Sequence, residues 1–219
     1  MLGESRIRLG NDMRTLLIGI DSGTQSTKVL VVDARDGKVL ASASQAYELI
    51  PNLPPGAKEQ HPHAWRDAAA SAIRQALRQA KATAAEVKAI GVSGQQHGFV
   101  PLDANNEVIR PAKLWCDTST IAECDAITAK LGGLDAAIAE QGNAVLPGFT
   151  ASKILWLKKH EPENFRRLAT VLLPHDYLNF WLTGAKVMEY GDASGTALLD
   201  VRKRAWSQAA LKAIDADLA

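Results

Sequence analysis

The strongest constraint on the fold lies between residues 15 and 47. Thr15-Leu16-Leu17-Ile18-Gly19-Ile20 is a short apolar run that ends on Asp21, the pattern of a strand buried on both faces. Gly23-Thr24-Gln25-Ser26 interrupts it, and a β-branched run follows over residues 27–32. Asp36-Gly37 is a hairpin turn signal, and residues 38–47 read as a third strand. Two tight reversals so close together predict an antiparallel β-meander at the start of the fold.

The rest alternates helix and strand. Pro54-Pro55-Gly56 marks a loop. Residues 62–81 predict a helix, with Pro62 in its first turn. Trp65, Ala69, Ala72, Ile73, Ala76, Leu77 and Ala80 fall on one apolar face. Strands are expected over residues 87–92, 99–102, 108–115 and 171–173. Helices are expected over 121–131, 152–160, 164–168, 175–182 and 205–214. With no repeat or low-complexity tract, one α/β domain over residues 14–219 is the simplest account, with residues 1–13 as an extension.

Composition narrows the function classes. Hydrophobic residues make up 47% of the 219, enough for a core without metals or disulfides. Lys plus Arg number 25 against 24 for Asp plus Glu, so the net charge of +1 argues against nucleic acid as a partner. No run approaches a membrane span, and residues 1–6 lack the apolar core of a signal peptide. The two cysteines, Cys116 and Cys124, form neither a disulfide framework nor a CxxC pair. A reducing, cytoplasmic location is the expectation.

Four segments carry candidate chemistry. In the first, Asp21 ends a strand before a turn of small and hydroxylated residues. Gly23 allows close backbone approach, and Thr24 and Ser26 can donate to phosphate oxygens. Lys28 adds charge if it faces the cleft. Asp21 would hold Mg²⁺, which favours carboxylate and phosphate oxygens. A plain hairpin explains the same residues. No GxxxxGK[ST] loop occurs, which excludes the P-loop class.

The second segment is Gly94-Gln95-Gln96-His97-Gly98, where two amides and an imidazole suit a polyol; a polar loop cap is the alternative. The third, Met188-Glu189-Tyr190-Gly191-Asp192-Ala193-Ser194-Gly195-Thr196, reads as a loop of small residues. Asp192 there is either a general base or a cap for local amides. The fourth is Leu114-Trp115-Cys116-Asp117-Thr118-Ser119-Thr120. Trp115 can lie against a sugar's apolar face with Asp117 accepting from hydroxyls, or Thr118 or Ser119 can cap the next helix.

Together and in this order, the four segments resemble the FGGY carbohydrate kinases, most of all the branch acting on D-xylulose. Gly94-Gln95-Gln96-His97-Gly98 is the most diagnostic stretch, and Pro147-Gly148-Phe149-Thr150 and Leu173-Pro174-His175-Asp176-Tyr177-Leu178 are also similar. The resemblance implies a ribonuclease-H-like domain of the actin-like ATPase superfamily, with a mixed sheet. It implies ATP and Mg²⁺ as cofactors and D-xylulose or a related ketose as partner. It also implies a separate ATP-binding C-terminal domain of the same enzyme, and it leaves room for a homodimer. Asp192 matches the catalytic base; Gln96, His97, Trp115 and Asp117 match sugar contacts; Thr24 and Lys28 match the phosphate loop; Asp21 matches the acid near Mg²⁺. Rival readings are a kinase for another pentulose or polyol, a sugar-binding module without catalysis, and a nuclease using Asp21 and Asp192 as metal ligands.

Overall fold

The computed structural model describes residues 14–218, so the expected extension at 1–13 lies outside the described residues. The meander forms as expected from β1 (Leu16–Ser22), β2 (Ser26–Asp33) and β3 (Val39–Ala46). β1 and β2 pair antiparallel from Leu16↔Asp33 to Ser22↔Thr27, and β2 and β3 pair antiparallel from Ser26↔Ala46. After β4 (Glu59–Gln60) and helix α1 (Pro62–Gln79), β5 (Val87–Gly94) returns parallel to β1. The sheet order is β3-β2-β1-β5, a mixed sheet.

Alternation along β1 and β2 decides which face is covered. Leu16, Ile18, Ile20, Val29 and Val31 point into the core, where α1 lays down Trp65, Ala69, Ala72 and Ala76. The alanines let the helix backbone approach the sheet. Each fully buried Ile or Val here contributes roughly 1.5–3 kcal/mol. Asp21 and Lys28 point to the opposite, exposed face.

A second hydrophobic cluster lies among the later elements. β6 (Val100–Leu102) pairs with β8 (Thr170–Leu172), and β7 (Ala112–Lys113) pairs with β4. Helices α2 (Ile121–Lys130), α3 (Leu134–Gln141), α4 (Thr150–His160) and α5 (Pro162–Arg167) follow β7. After β8 come α6 (Pro174–Thr183), α7 (Tyr190–Ser194), the β9 (Leu199–Asp200) and β10 (Ala205–Trp206) pair, and α8 (Gln208–Ile214). Phe99, Ile127, Leu155, Leu157, Leu198 and Ile214 build this second core.

Four local expectations need correction. Residues 108–115 are not one strand, because Pro111 lacks the N–H a ladder needs; β7 and a lone Leu102↔Val108 bridge are what form. The last helix starts at Gln208 rather than 205, where the Ser207 hydroxyl accepts from Ala210 N at 2.9 Å. α3 was not expected; Gly132 and Gly133, both with positive φ, turn the chain into it. Asp192 lies in the first turn of a short helix, α7, not in an open loop.

Candidate active site

The parallel pairing of β1 and β5 brings two of the four segments to one sheet end. Asp21 lies opposite Ser93 and Ser22 opposite Gly94, and Gln95 N donates to Ser22 O at 2.9 Å. A Cβ at Gly94 would stand 2.8 Å from Ser22 O, so this position accepts little beyond glycine. Ligand sites in α/β sheets lie beyond the carboxyl ends of such strands.

The first concavity there has a volume of about 310 Å³ and is lined by Asp21, Gly23, Thr24, Gln25, Ser26 and Lys28. Gly23 N donates to Ser26 O and the Tyr47 hydroxyl donates to Gly23 O, which fixes the turn. Trp115 Nε1 donates to Thr24 Oγ1 at 3.1 Å, so the indole reaches the same turn while half its surface stays exposed. Asp21 and Lys28 are register partners across β1 and β2, and neither side chain has a hydrogen bond or ion pair among the described residues.

A cavity of about 390 Å³ lies nearby, between the β5 end, α6 and α7. Ser93, Gln96, His175, Asn179, Glu189 and Asp192 supply its polar groups. Asp192 is placed by Glu189, whose carboxylate accepts from the N–H groups of Gly191 and Asp192. Only 1% of the Asp192 side chain is exposed; Oδ1 lies 2.7 Å from His97 Nδ1 and Oδ2 lies 3.4 Å from His175 Nδ1. His175 Nε2 lies 3.2 Å from Asp176 Oδ1 in turn. Carboxylates and imidazoles therefore alternate from Asp176 to His97.

The 2.7 Å approach is a close contact without hydrogen-bond alignment. Neither Asp192 oxygen nor His97 Nδ1 has an aligned partner among the described residues. Buried polar atoms are nearly always satisfied, and catalytic contacts in a ligand-free site often tighten only on binding. His97 itself has φ 57°, and its ring meets Phe149 edge-on with centroids 4.9 Å apart. Burial alone would depress the His175 imidazole, but Asp176, Asp192 and Glu189 outweigh it and raise its pKa above the ordinary histidine value.

Asp117 departs from expectation. It is fully buried rather than on a pocket wall. Oδ1 accepts from Ser119 N and Oγ, and Oδ2 accepts from Lys58 N at 2.9 Å and Lys113 Nζ at 3.2 Å. Burial by itself would raise its pKa; these donors and the Lys113 charge hold it below the usual carboxylate value. Its role is to fix the turn that carries Trp115. Neither Thr118 nor Ser119 caps α2, whose N-cap is Thr120.

Gln60, which carried no signal in the sequence, links the two sites. Its Nε2 donates to Thr24 O at 2.7 Å and to Glu48 O at 3.3 Å. Its Oε1 accepts from Trp65 Nε1 at 2.9 Å and Gln95 Nε2 at 3.4 Å. All four hydrogen-bonding positions of this buried amide are used.

Among the described residues no cluster of three or more His, Cys, Asp or Glu side chains is placed to hold a metal. Asp21 and Asp192 line different cavities, which disfavours a shared nuclease-type metal site. One unpaired carboxylate beside hydroxyls does suit Mg²⁺, which commonly uses one or two carboxylates with phosphates and retained water.

The profile of the FGGY family of carbohydrate kinases, N-terminal domain, matches residues 16–218. The chain belongs to that family. It is 44% identical over 207 residues to a xylulose kinase of Haemophilus influenzae, covering 93% of this chain and 42% of that protein. It superposes on the crystal structure of xylulose kinase from Rhodospirillum rubrum with TM-score 0.83 and 28% identity, over 91% of this chain and 40% of that one. Gluconate kinase from Lactobacillus acidophilus also gives TM-score 0.83, at 27% identity, over 92% of this chain and 40% of that one. The fold is the actin-like ATPase fold of these sugar kinases, as the sequence resemblance implies. The chain spans less than half the length of the relatives it matches. Among the described residues no helix is long and apolar enough to cross a membrane.

Proposed function

We propose that the chain is the sugar-binding part of an ATP-dependent ketopentose kinase that converts D-xylulose and ATP to D-xylulose 5-phosphate and ADP. The observation that carries this reading is the unsatisfied His97–Asp192 pair beside the Gln96 cavity. A sugar hydroxyl both donates and accepts, so it can complete such a pair. Relatives described as xylulose kinases support the ketopentose over other polyols.

In this reading Gln96 binds hydroxyls with its amide and His97 orients the sugar. The turn at Gly23–Ser26 and Lys28 receive the phosphates. Asp21 would hold Mg²⁺, which supplies charge neutralisation at the transferring phosphoryl group. The terminal hydroxyl oxygen attacks the γ-phosphorus as the bond to the β-phosphate oxygen breaks. Asp192 lines the Gln96 cavity and its oxygens have no aligned partner among the described residues, so in this reading it takes the proton of that hydroxyl as general base, with His97 beside it. The adenosine site is assigned to the part of the relatives' length outside this match.

Coupled ADP release tests this. The complete protein should turn over D-xylulose with a higher kcat/KM than D-ribulose, gluconate or glycerol. The 219-residue chain alone should bind the ketose without turnover. A preference for gluconate or glycerol, or no sugar-dependent ADP release by the complete protein, would overturn the reading.

A further inference from the structure

Lys153 is fully buried in α4, yet among the described residues it has no carboxylate within ion-pair distance. An interior ammonium without a counter-ion is costly, so its retention needs a compensating interaction. Lys153 Nζ donates to two backbone carbonyls, those of His97 at 3.2 Å and of Gly148. Each belongs to a segment with restricted geometry. His97 occupies the left-handed region at φ 57°, which a residue with a side chain adopts at a cost. A Cβ on the next residue, Gly98, would stand 2.5 Å from Pro174 Cγ, so the turn packs closely on Pro174 and accepts little beyond glycine there. Gly148 packs under Trp115, where a Cβ would lie 2.6 Å from the Trp115 carbonyl oxygen. The Thr150 hydroxyl donates to the same His97 carbonyl at 3.2 Å.

We propose that Lys153 is a positioning residue for sugar recognition: its buried amine clamps the His97 and Gly148 carbonyls and so fixes the turn that holds the His97 imidazole against Asp192. The chemistry of the group fits. Burial pushes the Lys153 amine down to about 7, with Asp117 opposing that shift and Lys113 adding to it. A neutral amine still has two N–H bonds, one for each carbonyl, so the clamp survives deprotonation. Lys153 touches neither cavity and acts only through the backbone it holds.

The inference rests on the ketose-binding reading above, and the test separates the two. D-xylulose binding to the complete protein is measured by calorimetry for wild type, Lys153→Met and Thr150→Val, well below each protein's melting temperature, alongside the KM for ATP. Lys153→Met should weaken ketose binding by about tenfold or more, because the His97 and Gly148 carbonyls both lose their shared donor. Thr150→Val should weaken it less, and the KM for ATP should stay within about twofold in both. A purely structural lysine would lower the melting temperature and leave ketose affinity of the folded protein intact, which would overturn the proposal. If Lys153→Met does not fold, unchanged ketose affinity in Thr150→Val overturns it equally. A wild type that binds no ketose would bring down the functional reading and this inference together. Binding by wild type with unaltered binding by the variants would remove the Lys153 role alone.

Discussion

Gly195→Ala is expected to remove most ketose binding while leaving the protein folded. Gly195 follows α7 with φ −75°, a conformation that alanine adopts readily, so the backbone is not the obstacle. Space is the obstacle. A Cβ there would lie 2.0 Å from His97 Cε1 and 2.1 Å from Nδ1. The imidazole must swing away, Phe149 limits where it can go, and its contact with Asp192 is lost. Overpacking of this kind costs about 1–3 kcal/mol, and if the strain falls on the binding conformation the dissociation constant rises roughly tenfold to a hundredfold. Calorimetry with D-xylulose, with circular dichroism to confirm the fold, checks this. Wild-type affinity in a folded variant would show that the His97 ring position does not matter for the sugar.

Asp192→Asn should produce a comparable loss by a different route. The side chain keeps its size but loses the charge that faces His97 and His175. Leaving the imidazoles of His97 and His175 without that carboxylate costs about 1–3 kcal/mol, so affinity for the ketose should fall by roughly tenfold to a hundredfold. The same variant should lower the pKa of His175, because Asp192 is one of the charges that raise it. Proton NMR titration of the His175 ring reads this directly. In the wild type the raised pKa means that the stabilisation from cationic His175 is full below the ordinary histidine value. It is lost as pH rises through the folded-state value. Asp192→Asn should narrow that window. An unshifted His175 titration would show that the two groups do not interact.

Much of the fold was legible because its signals are local. The apolar run ending at Asp21, the Asp36-Gly37 turn and the alanine face of α1 each lie within a few residues, and each formed as expected. The Gly23–Ser26 turn and the Gly94–Gly98 loop were also readable, since small residues and amides mark them. What escaped is set by contacts between segments far apart in the chain. Asp117 looked like a pocket acid until Lys58, Lys113 and Ser119 consumed its oxygens. His175 read as an ordinary residue at a helix start, and only the packing of α6 near α7 places it beside Asp192. Gln60 gave no signal at all, because an amide that bridges Thr24 and Gln95 has no local pattern.

Titration of D-xylulose into ¹⁵N-labelled protein, followed through the backbone amides, tests the central claim most directly. Gln96, His97, His175 and Asp192 should shift together and saturably, with glycerol and gluconate producing weaker changes at the same positions. Binding with shifts confined to other surfaces, leaving these four residues unmoved, would contradict the account.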